Sequence, residues 1–256
     1  MSHALRTIAA LSGILIAGSA AAASPVLWQN NSLSYLYGKT YEVNPPIQQT
    51  LTYEHVSGWS VGDLFIFVDG AKYNGQKDSG SGEFGLYGEF SPRFSLSKIF
   101  GTEIKSGLVS DVLLATTYEF GEGDVETFLA GPAVDFNLPG FDYFQLNVYK
   151  RMPQDGRDGE SIQITPVWAI TIPFGQSSIL FDGFIDWNIK NDGTYHANLH
   201  FNPQLKYDLG KAMQLKEKQL YVGVEYSYWK NKYGIKDSPY FDTDQSVTNL
   251  LVKYHF

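Results

Sequence analysis

The sequence predicts an all-β fold: a transmembrane antiparallel β-barrel of twelve strands behind a cleaved N-terminal signal peptide. Three observations predict it. The chain opens with an export signal, apolar residues recur at every second position along most of its length, and the last segment alternates in the same way up to a terminal Phe256.

The export signal comes first. Arg6 supplies a short positive region, and residues 8–17 are apolar over about half the ~20 residues that a spanning helix needs. Ala21, Ala22 and Ala23 then offer a small-residue cleavage site before Ser24. Residues 1–23 are therefore set apart as a signal peptide, and residues 24–256 form the barrel domain. Nothing after residue 23 approaches ~18 uninterrupted apolar residues, so no spanning helix is available. The chain has no cysteine, which excludes disulfides and thiolate metal sites. Its net charge of −8 becomes more negative once Arg6 is removed, which argues against nucleic acid as a partner.

The period-two signal is the strongest. In residues 62–70, Leu64, Ile66 and Val68 alternate with Asp63, Phe65, Phe67 and Asp69. In residues 83–96, Phe84, Leu86, Phe90 and Phe94 oppose Glu83, Tyr87, Glu89, Ser91, Arg93 and Ser95. Residues 141–151 and 195–208 repeat the pattern. Successive strand side chains point to opposite faces, so each segment has one apolar and one polar face. Twelve such segments lie near 32–38, 49–56, 62–70, 83–95, 109–120, 126–137, 141–151, 161–172, 178–188, 195–208, 219–229 and 245–256. Turn residues separate them at 138–140, 173–175 and 191–193. An even count places both termini at one end, expected to be periplasmic. Segments 97–108 and 209–218 are then longer than periplasmic turns usually are, and short helices or folded turns are compatible with them.

Alternation alone fits either a soluble sandwich with its apolar face buried or a membrane barrel with that face in lipid. The C-terminus favours the barrel. Leu250, Val252, Tyr254 and Phe256 look like the signal read by outer-membrane barrel-assembly machinery, and the leader adds to this. Outer-membrane lipid and lipopolysaccharide are then the surroundings, and Tyr35, Tyr37, Tyr118, Trp168, Tyr195 and Tyr228 are candidates for interfacial girdles.

The face opposite the lipid carries the functional question. Asp63, Phe65, Phe67 and Asp69 recur in one segment, and Asp182, Phe184, Asp186 and Asn188 in another. Wetting a ring costs hydrophobic free energy, so a general aqueous pore has little use for lumenal Phe. Rings beside carboxylates suit a solute with a π-face and hydroxyl donors, such as a nucleoside: stacking contributes about 1–3 kcal/mol per base, and carboxylates accept from hydroxyls. The same spacing also suits rings packed on one another and carboxylates paired with Arg93, Arg151, Lys206 or Lys253 to brace the wall.

These segments resemble a known family. Gly62-Asp-Leu-Phe-Ile-Phe-Val-Asp-Gly70, Glu89-Phe-Ser-Pro-Arg-Phe-Ser95, Leu146-Asn-Val-Tyr149 and the terminal Tyr254-His-Phe256 are similar to the Tsx family of nucleoside-specific outer-membrane channels. The resemblance implies a narrow, monomeric, twelve-stranded channel passing nucleosides and deoxynucleosides by facilitated diffusion. It places candidate binding residues at Asp63, Phe65, Phe67, Asp69, Glu89 and Arg93. Alternation adds Tyr87, Tyr149, Asp182, Phe184, Asp186 and Asn188. A sugar or amino-acid channel, or a plugged structural barrel, are the alternatives.

An enzyme is not expected, nor a cofactor. The histidines after the leader are His55, His196, His200 and His255. His196 and His200 share one face at a spacing of about 13 Å, too far to hold one metal ion together. Residues 78–83 are Gly-rich but lack the Gly-Lys-Ser/Thr ending of a phosphate loop. Residues 155–159 lack the spacing of a calcium loop and read as a turn.

Overall fold

A computed structural model describes residues 25–74, 83–123, 125–154 and 156–256. The expected signal peptide, most of the Gly-rich segment 78–83 and Asp155 lie outside the described residues. All twelve expected strands are present: β1 (Val26–Lys39), β2 (Ile47–Trp59), β3 (Gly62–Asn74), β4 (Phe84–Ser95), β5 (Val109–Gly121), β6 (Val125–Phe136), β7 (Tyr143–Pro153), β8 (Ser161–Phe174), β9 (Ser177–Asn188), β10 (Asn198–Asp208), β11 (Leu220–Lys230) and β12 (Gln245–His255). Each pairs with its neighbours in sequence, and β1 pairs with β12 to close the barrel. Closure removes both sheet edges, which lipid would otherwise leave without hydrogen-bond partners.

The pleat decides what faces where. On β12, Leu250, Val252 and Tyr254 are exposed, while Val247, Asn249, Leu251 and Lys253 between them are buried. The same parity runs round the barrel by register: Asp63 opposes Arg93, Phe67 opposes Glu89, Glu89 opposes Glu119, and Ser34 opposes Lys253 across the closing seam. A polar interior inside an apolar exterior inverts the soluble sandwich, as a lipid-embedded barrel requires.

The ladders are interrupted at regular places. Pairing skips residues at Pro92 in β4, Pro132 in β6, Pro166 in β8 and Pro203 in β10, each time on the side facing the next strand. Proline has no N–H to donate to a ladder. Thr116 Oγ1 donates to the Pro92 carbonyl at 3.0 Å and partly bridges one of these gaps.

At the end carrying the termini, the two long connections contain short helices, α1 (Leu96–Phe100) and α2 (Leu209–Ala212). Ser95 Oγ accepts from Lys98 N, and Asp208 accepts from Lys211 N, so each strand ends on the residue that caps the next helix. These are the two segments that looked too long for tight turns. At the opposite end, residues 40–46, 189–197 and 231–244 form folded connections, the last containing a 3-10 turn (Lys232–Gly234).

Two girdle candidates depart from expectation. Tyr195 precedes β10 and turns inward, its hydroxyl accepting from Asn188 Nδ2 at 3.4 Å and its ring lying against Gly234. The alternation of 195–208 begins only at Asn198, so His196 belongs to a connection and no longer shares a strand face with His200. Trp168 faces outward but is only 8% exposed, covered by Phe181 and Phe201 and with a ring carbon against Gly183. A ring over a strand glycine fills the space the missing side chain leaves.

Candidate functional site

The lumen divides its charged residues into two kinds. Arginines and lysines are neutralised in place. Arg93, 6% exposed, donates from Nε and Nη2 to Asp63 at 2.8 Å each, and from Nη1 to Asp135 at 2.8 Å. Arg151 grips both oxygens of Glu119 at 2.6 and 2.7 Å and gives a third bond to Gln163. Lys206 donates to Asp182 and to Gln204 at 2.7 Å, and Lys253 pairs with Glu54 across the β1–β12 seam. Bidentate guanidinium–carboxylate geometry fixes both partners, so these groups brace the wall.

Six acids of lumenal parity have no such cation among the described residues; Asp111 and Asp208 accept from Ser95 and Ser97 and from backbone N–H groups where the strands meet α1 and α2, and four stand further along the lumen. Asp69 accepts from Thr52, Glu89 from the Tyr87 hydroxyl at 2.8 Å, Asp186 from Gln163 and Thr165, and Glu225 from Gln204 and Asn249. Asp69, Glu89 and Asp186 are half-buried, while Glu225 is buried with a donor on each oxygen. Glu89 on β4 and Asp186 on β9 stand nearly opposite each other in the ring of twelve strands.

Aromatic rings accompany these acids on both walls. On the β3–β4 side, Phe65, Phe67 and Tyr87 form a row with centroid separations of 5.8 and 5.7 Å, and all three are half-buried. On the β9–β11 side, Phe184 meets His200 edge-on at 5.2 Å, and His200 stacks on Trp229 at 4.0 Å and 11°. The first row was legible from alternation. The second was not: His200 stood out only for its spacing from His196, and Trp229 carried only its parity in β11, opposite His200.

The twelve candidate residues therefore separate. Phe65, Phe67, Asp69, Tyr87, Glu89, Phe184 and Asp186 line the interior with part of their surface free. Asp63, Arg93 and Asp182 are taken up in ion pairs. Asn188 is buried against Asn198 at 3.0 Å. Tyr149, 6% exposed, packs with Leu113, Ala115, Leu129 and Ala133 in an apolar cluster on the inner wall. Sequence alternation placed Tyr149 on the correct face but not beneath its neighbours.

A closed barrel with an acidic, aromatic-lined interior is the setting for comparison with known proteins. The sequence model of the family described as "Nucleoside-specific channel-forming protein, Tsx" matches residues 28–256. The chain belongs to the Tsx family. Outer membrane protein OmpK of Vibrio parahaemolyticus is 25% identical over 206 residues, 76% of this chain and 75% of that protein. Among solved structures, the KdgM porin superposes with a TM-score of 0.50 at 10% identity, covering 88% of this chain and 99% of that one; a second structure of it holds a disordered oligogalacturonate. At that identity the KdgM likeness shows fold alone. Family and relative together make this Tsx-family protein an outer-membrane channel, with no enzymatic chemistry in the type it belongs to.

Proposed function

We propose that the channel passes nucleosides and deoxynucleosides by facilitated diffusion, holding the base on Phe65, Phe67 and Tyr87 and the ribose hydroxyls on Glu89 and Asp186. The observation that carries this reading is the Phe67–Tyr87 ring pair beside Glu89, a carboxylate whose hydrogen-bond partner is the Tyr87 hydroxyl and which pairs with no cation among the described residues. A free ring face offers stacking, and a carboxylate with open lone pairs accepts hydroxyl protons. Phe184, His200 and Trp229 offer a second ring surface beside Asp186. Surplus carboxylates disfavour phosphate, so nucleosides are preferred to nucleotides. Asp63, Arg93 and Asp182 serve as wall braces, and Asn188 and Tyr149 as packing.

In this reading the chain works as a monomer with both termini in the periplasm. The two-residue connections after β2 and β8, at that end, support the orientation. The exposed row Leu250, Val252, Tyr254 and Phe256 is what the assembly machinery engages, and the outer apolar face meets lipid and lipopolysaccharide. The test is single-channel current in a planar bilayer with adenosine, thymidine and glucose added in turn. Saturable block by both nucleosides and none by glucose is expected. Equal indifference to all three overturns the assignment and leaves a channel for other solutes.

A further inference from the structure

Two connections at the end away from the termini fold inward rather than standing clear of the barrel. Segment 40–46 joins β1 to β2, and 231–244 joins β11 to β12, so they flank the closing seam. Their side chains reach residues of lumenal parity. The Tyr41 hydroxyl donates to Asn249 at 2.6 Å, Lys232 Nζ donates to Gln245 at 2.6 Å, and the Tyr233 ring meets Trp229 at 5.4 Å. They also bind each other. Tyr233 donates to Asn44 at 3.0 Å, and Lys232 reaches the Glu42 carbonyl at 3.3 Å.

Lys232 stands at the centre of this contact and is only 3% exposed. Its ammonium lies 5.6 Å from the Tyr41 ring and 5.0 Å from the Tyr233 ring. No carboxylate lies within ion-pair range of it among the described residues. The Glu42 carboxylate and the His200 imidazole of β10 act on it only through space. Among the described residues the inward-facing cations of the strands, Arg93, Arg151, Lys206 and Lys253, are each matched by an acid; this one is held by neutral acceptors and ring faces. Such contacts are individually weak and reversible.

The backbone of the same loops is strained. Thr40 (φ 65°), Val43 (72°), Asn231 (50°), Tyr233 (58°) and Asp237 (54°) all adopt left-handed conformations. A β-branched Val there is unusual, and strain of this kind persists only where surrounding contacts impose it.

We propose that segments 40–46 and 231–244 form a lid over the channel mouth with Lys232 as its latch, and that this latch sets the size of solute admitted. Lys232 is a positioning residue: it holds Tyr41 and Tyr233 over the lumen. The inference rests on the barrel being a channel and not on the identity of its solute.

The experiment uses Lys232→Met and Asn44→Ala in the full chain. Neither residue belongs to a strand ladder, and replacing a buried charge that lacks a carboxylate partner is well tolerated. Conductance in planar bilayers is expected to rise above the wild-type level in both variants, and vesicles are expected to admit larger oligosaccharides than wild type does. Nucleoside block, recorded in the same bilayers, reports separately on the proposed solute. Unchanged conductance and size limit in both variants overturn the lid. A second measurement exploits the absence of native cysteine. Asn44→Cys with Tyr233→Cys, joined by a short bismaleimide, should lose the conductance that the unjoined double variant gains. Equal conductance before and after joining also overturns it.

Discussion

Replacing Phe67 separates stacking from packing. Its ring stands 5.8 Å from Phe65 and 5.7 Å from Tyr87 and is half-buried, leaving part of its surface toward the lumen. If a base stacks there, Phe67→Ala removes about 1–3 kcal/mol of binding, a factor of roughly 5 to 150 in the dissociation constant. The cost to stability is smaller than the ~3–5 kcal/mol of a fully buried Phe→Ala change, since one side of the ring has no protein against it; about 1–2 kcal/mol is expected. Phe67→Leu is the decisive companion. It keeps most of the apolar volume between Phe65 and Tyr87 and removes the π-face, so stability should change by less than ~1.5 kcal/mol. Its loss of nucleoside affinity should nevertheless approach that of the alanine variant. The assay is the adenosine concentration that half-blocks single-channel current, paired with urea unfolding of the vesicle-inserted protein. Phe67→Leu blocking like wild type would show that the ring only fills space and would sink the stacking argument.

Other consequences follow from the division of lumenal charge. Glu89→Gln keeps the size of the side chain and a partner for Tyr87 but removes the charge; nucleoside block should weaken about tenfold, near 1.4 kcal/mol. Its urea midpoint should hold or rise, because Glu89 pairs directly across the ladder with Glu119, and facing carboxylates repel. Arg93→Met leaves Asp63 and Asp135 facing each other without their cation and should cost about 3 kcal/mol in unfolding free energy. Adding Asp63→Asn and Asp135→Asn should recover most of that; no recovery would mean the pairing is not what holds the wall. The Lys232 ammonium, desolvated by burial, titrates at about 7, below the ordinary lysine range. Released into water it binds its proton more tightly, so acid favours the released lid. Conductance should therefore rise as pH falls from about 10 toward 7 and level off below. Lys232→Met should remove that part of the profile, and identical profiles in the two proteins would refute the link.

The strands were legible because alternation is local. Leu64, Ile66 and Val68 against Asp63, Phe65 and Phe67 declare two faces without reference to any partner, and all twelve segments appear as strands, eleven within four residues of their expected ends and β1 starting six residues early at Val26. Tyr195 shows the limit of the method. It continues the apolar-polar rhythm of β10, yet the strand begins three residues later and the ring turns into the mouth. A run of alternating residues does not say where its hydrogen-bonded partner stops. Tyr149 shows another limit: parity places it inside, but its burial depends on the small residues Ala115 and Ala133 on two other strands.

The sequence by itself determined that this chain makes an antiparallel barrel with an apolar outside and an acidic, aromatic inside: side-chain direction in a strand repeats every two residues, and the export signal with the alternating segment ending at Phe256 turned the apolar face toward lipid. Only the tertiary structure decided which acids are spent and which are free. Glu54 meets Lys253 from 199 residues away, Arg93 meets Asp135 from 42, and Asp69, Glu89 and Asp186 meet no cation among the described residues. Such pairings depend on register and on closure of β1 against β12, which bring together residues that no local pattern connects. The cage of Tyr41 and Tyr233 around Lys232 arises in the same way, from two loops that become neighbours only when the seam closes.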